Sequence, residues 1–308
     1  MVMKVIIKRT LEETLRISAI ILVIVAGIAG GYIVGKNLTF VEVPTYAEFA
    51  NKSLIMQHLV IFFLMNGAIL MGIVSSVCSG LIAGEVHEGT IRILVSKPNS
   101  RGAILRGKII GMLLGCFILM MLGLSVFYLA ETLFGSFDGS VMKDLLSYYP
   151  AYILYGLIVI LFFSSLATLL SCLVRKKVIA LLPMMFLVIA VLAIPVIVRI
   201  VLGMTGREEY PSDLFYLADL NYQFGSLFHW CCNLCGGING TSGQLSIPAA
   251  LLNIFKSFKL DPDITHKMNT TMIMTNNFIP KTVLLGVYGA LTVINYLISF
   301  VLMSRKDV

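Results

Sequence analysis

Residues 84–108 read GEVHEGTIRILVSKPNSRGAILRGK, and the meaning of this stretch decides the fold. Glu85 and Glu88 precede a helix-breaking pair, Gly89–Thr90, and the short apolar run Ile91–Val95 follows. Pro98–Asn99 make a turn, and Ser100 caps a new helix that carries Arg101, Arg106 and Lys108. On either side the sequence turns apolar, from His58 to Ala83 and from Ile109 to Phe134. Each flank exceeds the roughly 20 residues that cross about 30 Å of hydrocarbon. The stretch is therefore a charged helical hairpin between two membrane spans.

Outward from it lie four more apolar runs: Ile17–Gly35, Ala151–Val174, Val178–Leu202 and Thr282–Met303. The expected fold is all-α and polytopic, with six transmembrane helices, because lipid offers backbone polar groups no partner. Composition agrees. The chain is 58% hydrophobic and 13% charged, with a mean hydropathy of +0.94. Soluble domains run at about 45–50% apolar and about 25% charged. A soluble enzyme, a disordered chain, a collagen and a small disulfide scaffold are excluded. The first apolar run reads as a retained span, not as a cleaved signal peptide.

The net charge of +7 sets orientation and does not imply a nucleic-acid partner. Segments 1–16, 84–108, 175–177 and 304–308 carry 14 Lys and Arg, whereas the much longer segments 36–53, 135–149 and 203–281 carry 8. Both termini are expected in the cytoplasm. Residues 1–16 place Lys4, Lys8, Glu12 and Arg16 on one face, with Lys8–Glu12 and Glu12–Arg16 as four-apart pairs, and Val5, Ile6, Ile7, Leu11 and Leu15 on another, which predicts an interfacial helix. Gly27, Gly31 and Gly35 recur every four residues, as do Gly107, Gly111 and Gly115. Such stripes let helices approach closely, either between subunits or within one bundle. Pro183 and Pro195 bend the fifth span.

No catalytic centre is legible. Gly102–Lys108 spells G-x-x-x-x-G-K, but Ile109 stands where a Ser or Thr would hold magnesium and no strand precedes it. The four histidines have no adjacent nucleophile and supporting acid. Cys231, Cys232 and Cys235 with His229 lack the paired spacing of a zinc site. In an oxidising exterior they permit one disulfide, Cys232–Cys235 or Cys231–Cys235. Ionisable groups are scarce within the spans, which argues against a proton-coupled transporter or a cation channel.

The pattern E-x-x-x-G-T-x-x-x-L-x-x-x-P-x-S-R, here Glu85, Gly89, Thr90, Leu94, Pro98, Ser100 and Arg101, with Lys108 seven residues on, resembles the type-two permeases of ATP-binding-cassette (ABC) transporters. The resemblance covers the whole chain in layout and about 25 residues in motif. It implies the type-two ABC exporter fold. Residues 1–16 form the interfacial helix, 17–202 spans one to five, 203–281 an outer helical loop or lid, and 282–308 the sixth span and tail. It further implies that Glu85, Glu88, Gly89, Thr90, Lys97, Pro98 and Arg101 dock on a separate ABC ATPase subunit. This chain would hold no cofactor; ATP and magnesium would sit on that partner. A second permease copy or a paralogue would complete a path lined by spans two and five, making Phe62, Met65, Asn66, Ile69, Met184 and Met185 its candidate lining.

The implied setting is a bacterial plasma membrane, with lipid as the surrounding partner. The implied cargo is amphipathic, an antimicrobial or toxin-like peptide first, then lipids, drugs or sodium. The outer loop of 79 residues is long for the family's small bacterial members. It predicts amphipathic helices along Leu214–Phe228 and from Ser246 to Phe258, with Tyr210, Tyr216, Tyr222 and Trp230 at a headgroup boundary. A different class of function, a membrane scaffold or a sensor whose outer loop binds a ligand, needs neither an ATPase nor the hairpin.

Overall fold

The computed structural model describes residues 2–37, 53–54, 56–89, 101–135, 139–194, 197–198, 215–235 and 279–305. All regular structure among them is helical. Helix α1 spans Val2–Thr14 and α2 spans Ile17–Asn37. Span two follows in three pieces: a π-helical stretch Val60–Ile69, then α3 (Leu70–Gly80) and α4 (Ala83–Glu88). Next come α5 (Arg101–Phe134), α6 (Gly139–Ser147), α7 (Tyr149–Leu173) and α8 (Lys177–Leu192). The short α9 (Phe215–Ala218), then α10 (Leu220–Cys235) and α11 (Lys281–Arg305) complete the described chain.

Five segments are long and apolar enough to cross a membrane: Ile17–Lys36, Met56–Glu88, Arg101–Phe134, Val141–Leu173 and Lys281–Arg305. The protein is a multi-pass membrane protein. Of the expected fifth span, Val178–Leu202, the described helix α8 covers 16 residues, about 24 Å at 1.5 Å per residue, and helical bonding goes on to Ile197, whose N–H donates to the Ala193 carbonyl at 3.0 Å. Pro183 lies inside α8, while Pro195 and Arg199 fall outside the described residues.

Both glycine stripes are used for packing within the one chain. A Cβ on Gly31 of α2 would lie 2.5 Å from the Phe127 carbonyl of α5, and one on Gly27 would lie 3.0 Å from the Gly123 carbonyl. On α5, Gly111 faces the Ile7 carbonyl and Gly115 the Thr14 side chain of α1. These glycines let α1 and α2 lie directly on the backbone of α5. In lipid, where apolar burial against a neighbour has no water to escape, such close contact is what holds helices together. The N-terminal helix carries the expected Lys8–Glu12 pair at 3.9 Å, joined by Arg9–Glu13 at 3.0 Å. The expected Glu12–Arg16 pairing is not formed, because α1 ends at Thr14 and Arg16 stands in the turn before α2.

The basic segments gather at one end of the bundle. There Gly107 meets Ile6, Gly80 meets the aliphatic stem of Lys177, and Arg101 reaches the end of α11. At the opposite end, α10 does not rest over the bundle but enters it. Asp219 caps the helix by accepting the Tyr222 N–H at 2.8 Å. Phe224 and Phe228 are fully buried, with Phe228 stacked on Tyr152 at 5.9 Å and Phe224 against Tyr288 at 5.0 Å. Of the expected aromatic belt, Tyr222 is buried and Trp230 half-buried. Tyr210 and the second amphipathic stretch, Ser246–Phe258, lie outside the described residues.

Glu131 is buried at the end of α5 nearest α6, and neither of its carboxylate oxygens has a hydrogen-bond partner among the described residues. Two outcomes follow for purified protein in detergent. Gly31→Val, which drives a side chain into α5, lowers stability by about 1–3 kcal/mol, read as a fall in Tm. Glu131→Gln, which keeps the shape and removes the acid, leaves Tm unchanged or raises it.

Candidate functional site

The end that carries residues 84–108 is built from both anchor points of that segment. Span two delivers it through α4, which stops at Gly89 with φ at 72°, a left-handed conformation suited to glycine at a helix end. The Gly89 N–H donates to the Val86 carbonyl at 3.3 Å. The segment rejoins the bundle at Arg101, whose Nη1 donates to the Ser304 carbonyl of α11 at 3.2 Å. Thr90, Lys97 and Pro98 lie outside the described residues.

Between these anchors, Lys108 and Glu85 form a buried ion pair at 2.6 Å, with side-chain exposures of 6% and 12%. Lys108 Nζ also donates to the Leu81 carbonyl at 2.9 Å. Ser171 of α7 presents its Oγ to the backbone N–H groups of Ile82 (3.0 Å) and Ala83 (2.9 Å). Side chains from α5 and α7 therefore clasp the point where span two gives way to α4.

This geometry separates the two acidic residues of the motif. Glu88 is exposed at the last turn of α4, whereas Glu85 turns inward to Lys108. Glu85 therefore holds the segment within the chain. The family resemblance implies docking for both, and a lysine 23 positions away gives no sign in the sequence of meeting Glu85. Ser171 was hidden for a related reason. A serine in an apolar run reads as packing, and only the neighbouring span shows what it accepts.

A groove of about 510 Å³ opens beside this end, between α1, α2, span two and Lys177. Arg16, Glu88 and Lys177 line it and are exposed. Gly72, Ser76, Gly80 and Gly84 recur every four residues along its wall. A Cβ on Gly72 or Gly84 would meet nothing within 4 Å, so the wall there is open.

The candidate pathway residues fall in two groups. Phe62, Met65, Asn66 and Met184 are buried inside the bundle, and Asn66 Nδ2 donates to the Tyr152 carbonyl at 3.1 Å. Ile69 is half-buried and Met185 is exposed. Cys231 and Cys232 are buried on α10, which turns them into the core between spans, and the Cys235 side chain, with the expected Cys232–Cys235 bond, lies outside the described residues. No group of three or more metal-ligating side chains occurs among the described residues.

Glu85→Ala strands a buried ammonium and destabilises the protein by about 3–5 kcal/mol. Adding Lys108→Met recovers most of that loss, which a double-mutant cycle on Tm measures.

Among curated proteins, none matches this chain. A family model described as ABC-2 family transporter protein matches residues 6–308, nearly the whole sequence. The chain belongs to the ABC-2 family of transporters, as a membrane component.

Proposed function

We propose that this chain is the permease of a bacterial plasma-membrane ABC exporter. It moves an amphipathic cargo outward, an antimicrobial or toxin-like peptide first, and a separate ATPase subunit supplies the energy. Two copies, or this chain and a paralogue, enclose the path. The observation that carries the reading is the tethering of the 84–108 segment. Its two ends are held by α5, α7 and α11 at once, so a push on it reaches several membrane helices together.

In this reading the two ATPase subunits close on ATP and press on the segments. Glu88 faces basic groups on the ATPase, and Lys97 with Arg101 faces acidic ones. Glu85 sets the angle of α4. The groove supports an amphipathic cargo over a small ion. Its charged residues give a polar mouth, and its small-residue wall runs about 12 Å along α3 between Gly72 and Gly80 at helical rise. A lipid-like tail or the apolar face of a peptide fits such a wall.

The test is a mild-detergent pull-down of the chain from its own host, assayed for ATPase activity. The expected result is a stoichiometric ATPase that is lost when Glu88 and Arg101 are both replaced by Ala. Recovery of the chain alone and without ATPase activity turns the reading to a scaffold or a sensor. An ATPase that stays bound and fully active with the double variant removes the docking role of this segment.

A further inference from the structure

Span two is broken directly after the Ser79–Gly80 pair. Helix α3 ends at Gly80 and α4 begins at Ala83, with Leu81 and Ile82 forming a turn between them. Ile82 has φ widened to −116° from the roughly −63° of a regular helix, with ψ still helical at −45°. No proline lies nearby, and the adjacent Ser79–Gly80 pair lets the helix bend without itself fixing the angle. In an unbroken helix the N–H groups of Ile82 and Ala83 would donate to the Cys78 and Ser79 carbonyls. Here both donate to Ser171 Oγ, and Cys78 O takes the Leu81 N–H at 3.1 Å instead.

The second half of the repair comes from α5. The Lys108 ammonium holds the Leu81 carbonyl at 2.9 Å and Glu85 of α4 at 2.6 Å. One side chain thus bridges the two sides of the break. Ser171 is fully buried and Lys108 nearly so, which places these polar contacts where an unsatisfied group is expensive. The stem of Lys177, at the start of α8, packs over Gly80 at the same level.

We infer that the Leu81–Ile82 break is a hinge between span two and α4, with Lys108 and Ser171 as the positioning residues that set its angle. The inference rests on the exporter reading and adds the place where the pushed segment bends. Beyond the break, α4 leads straight to Glu88 and Gly89. A tilt of α4 trades the two N–H bonds to one serine and reorients one lysine. It leaves the packed body of span two in place. A continuous helix would instead transmit the same push to the whole span.

The experiment is hydrogen exchange on the permease–ATPase complex in nanodiscs, with and without ATP and vanadate, followed at the backbone amides of Ile82–Val86. In the unmodified complex these amides exchange about tenfold faster in one nucleotide state than in the other. Ser171→Ala and the double variant Glu85→Ala/Lys108→Met abolish that nucleotide dependence. Ser171→Thr and Lys108→Arg, which keep the hydroxyl and the charge, restore it; a purely structural role predicts no link between rescue and nucleotide. Equal exchange in both states of the unmodified complex overturns the hinge alone, as does nucleotide dependence that survives both variants. A chain that purifies with no ATPase overturns the exporter reading and the hinge with it.

Discussion

Lipid supplies no hydrogen bonds, and the arrangement of this molecule follows from how each interruption of its helices is repaired from inside. The turn at Leu81–Ile82 exposes backbone groups that a soluble protein would hand to water. Ser171 and Lys108 take that place. Because the repairing groups come from α5 and α7, the break ties three helices at one level. The 84–108 segment is thus coupled to the bundle through polar contacts with fixed geometry, where apolar contact would allow sliding.

The opposite end uses a different device. Helix α10 enters the bundle and is fixed by aromatic rings, with His58 set among Tyr148, Tyr152 and Phe228 at 5.0–5.6 Å. Polar bonds pin its register: Asn221 Nδ2 donates to the Val191 carbonyl at 2.8 Å, and Tyr288 Oη donates to Gln223 Oε1 at 2.6 Å. Edge-to-face rings give much contact for few rotatable bonds. The two ends therefore differ in kind, one a polar clasp beside an open groove and the other an aromatic wedge pinned by polar bonds.

Close backbone approach links them along the length of the bundle. Gly27, Gly31 and Gly35 seat α2 on α5, and Gly107, Gly111 and Gly115 seat α1 on the same helix nearer the clasp. Helix α5 is the shared spine, since it also carries Lys108 and Glu131. The exposed apolar side chains of α8, such as Val178, Leu182 and Phe186, stand on the other side of the bundle facing outward.

By itself the sequence determined the membrane as solvent, the helical class, five of the spans and the family that residues 84–108 resemble. Those properties reside in composition, run length and local motif, which survive without knowledge of neighbours. Tertiary structure alone decided that Glu85 faces Lys108, that Ser171 caps a break in another span, that both glycine stripes pack within the chain, and that α10 is a wedge. Each depends on contact between residues far apart in the chain. A residue's type shows what bonds it is able to make; only the packing shows which neighbour arrives to make them.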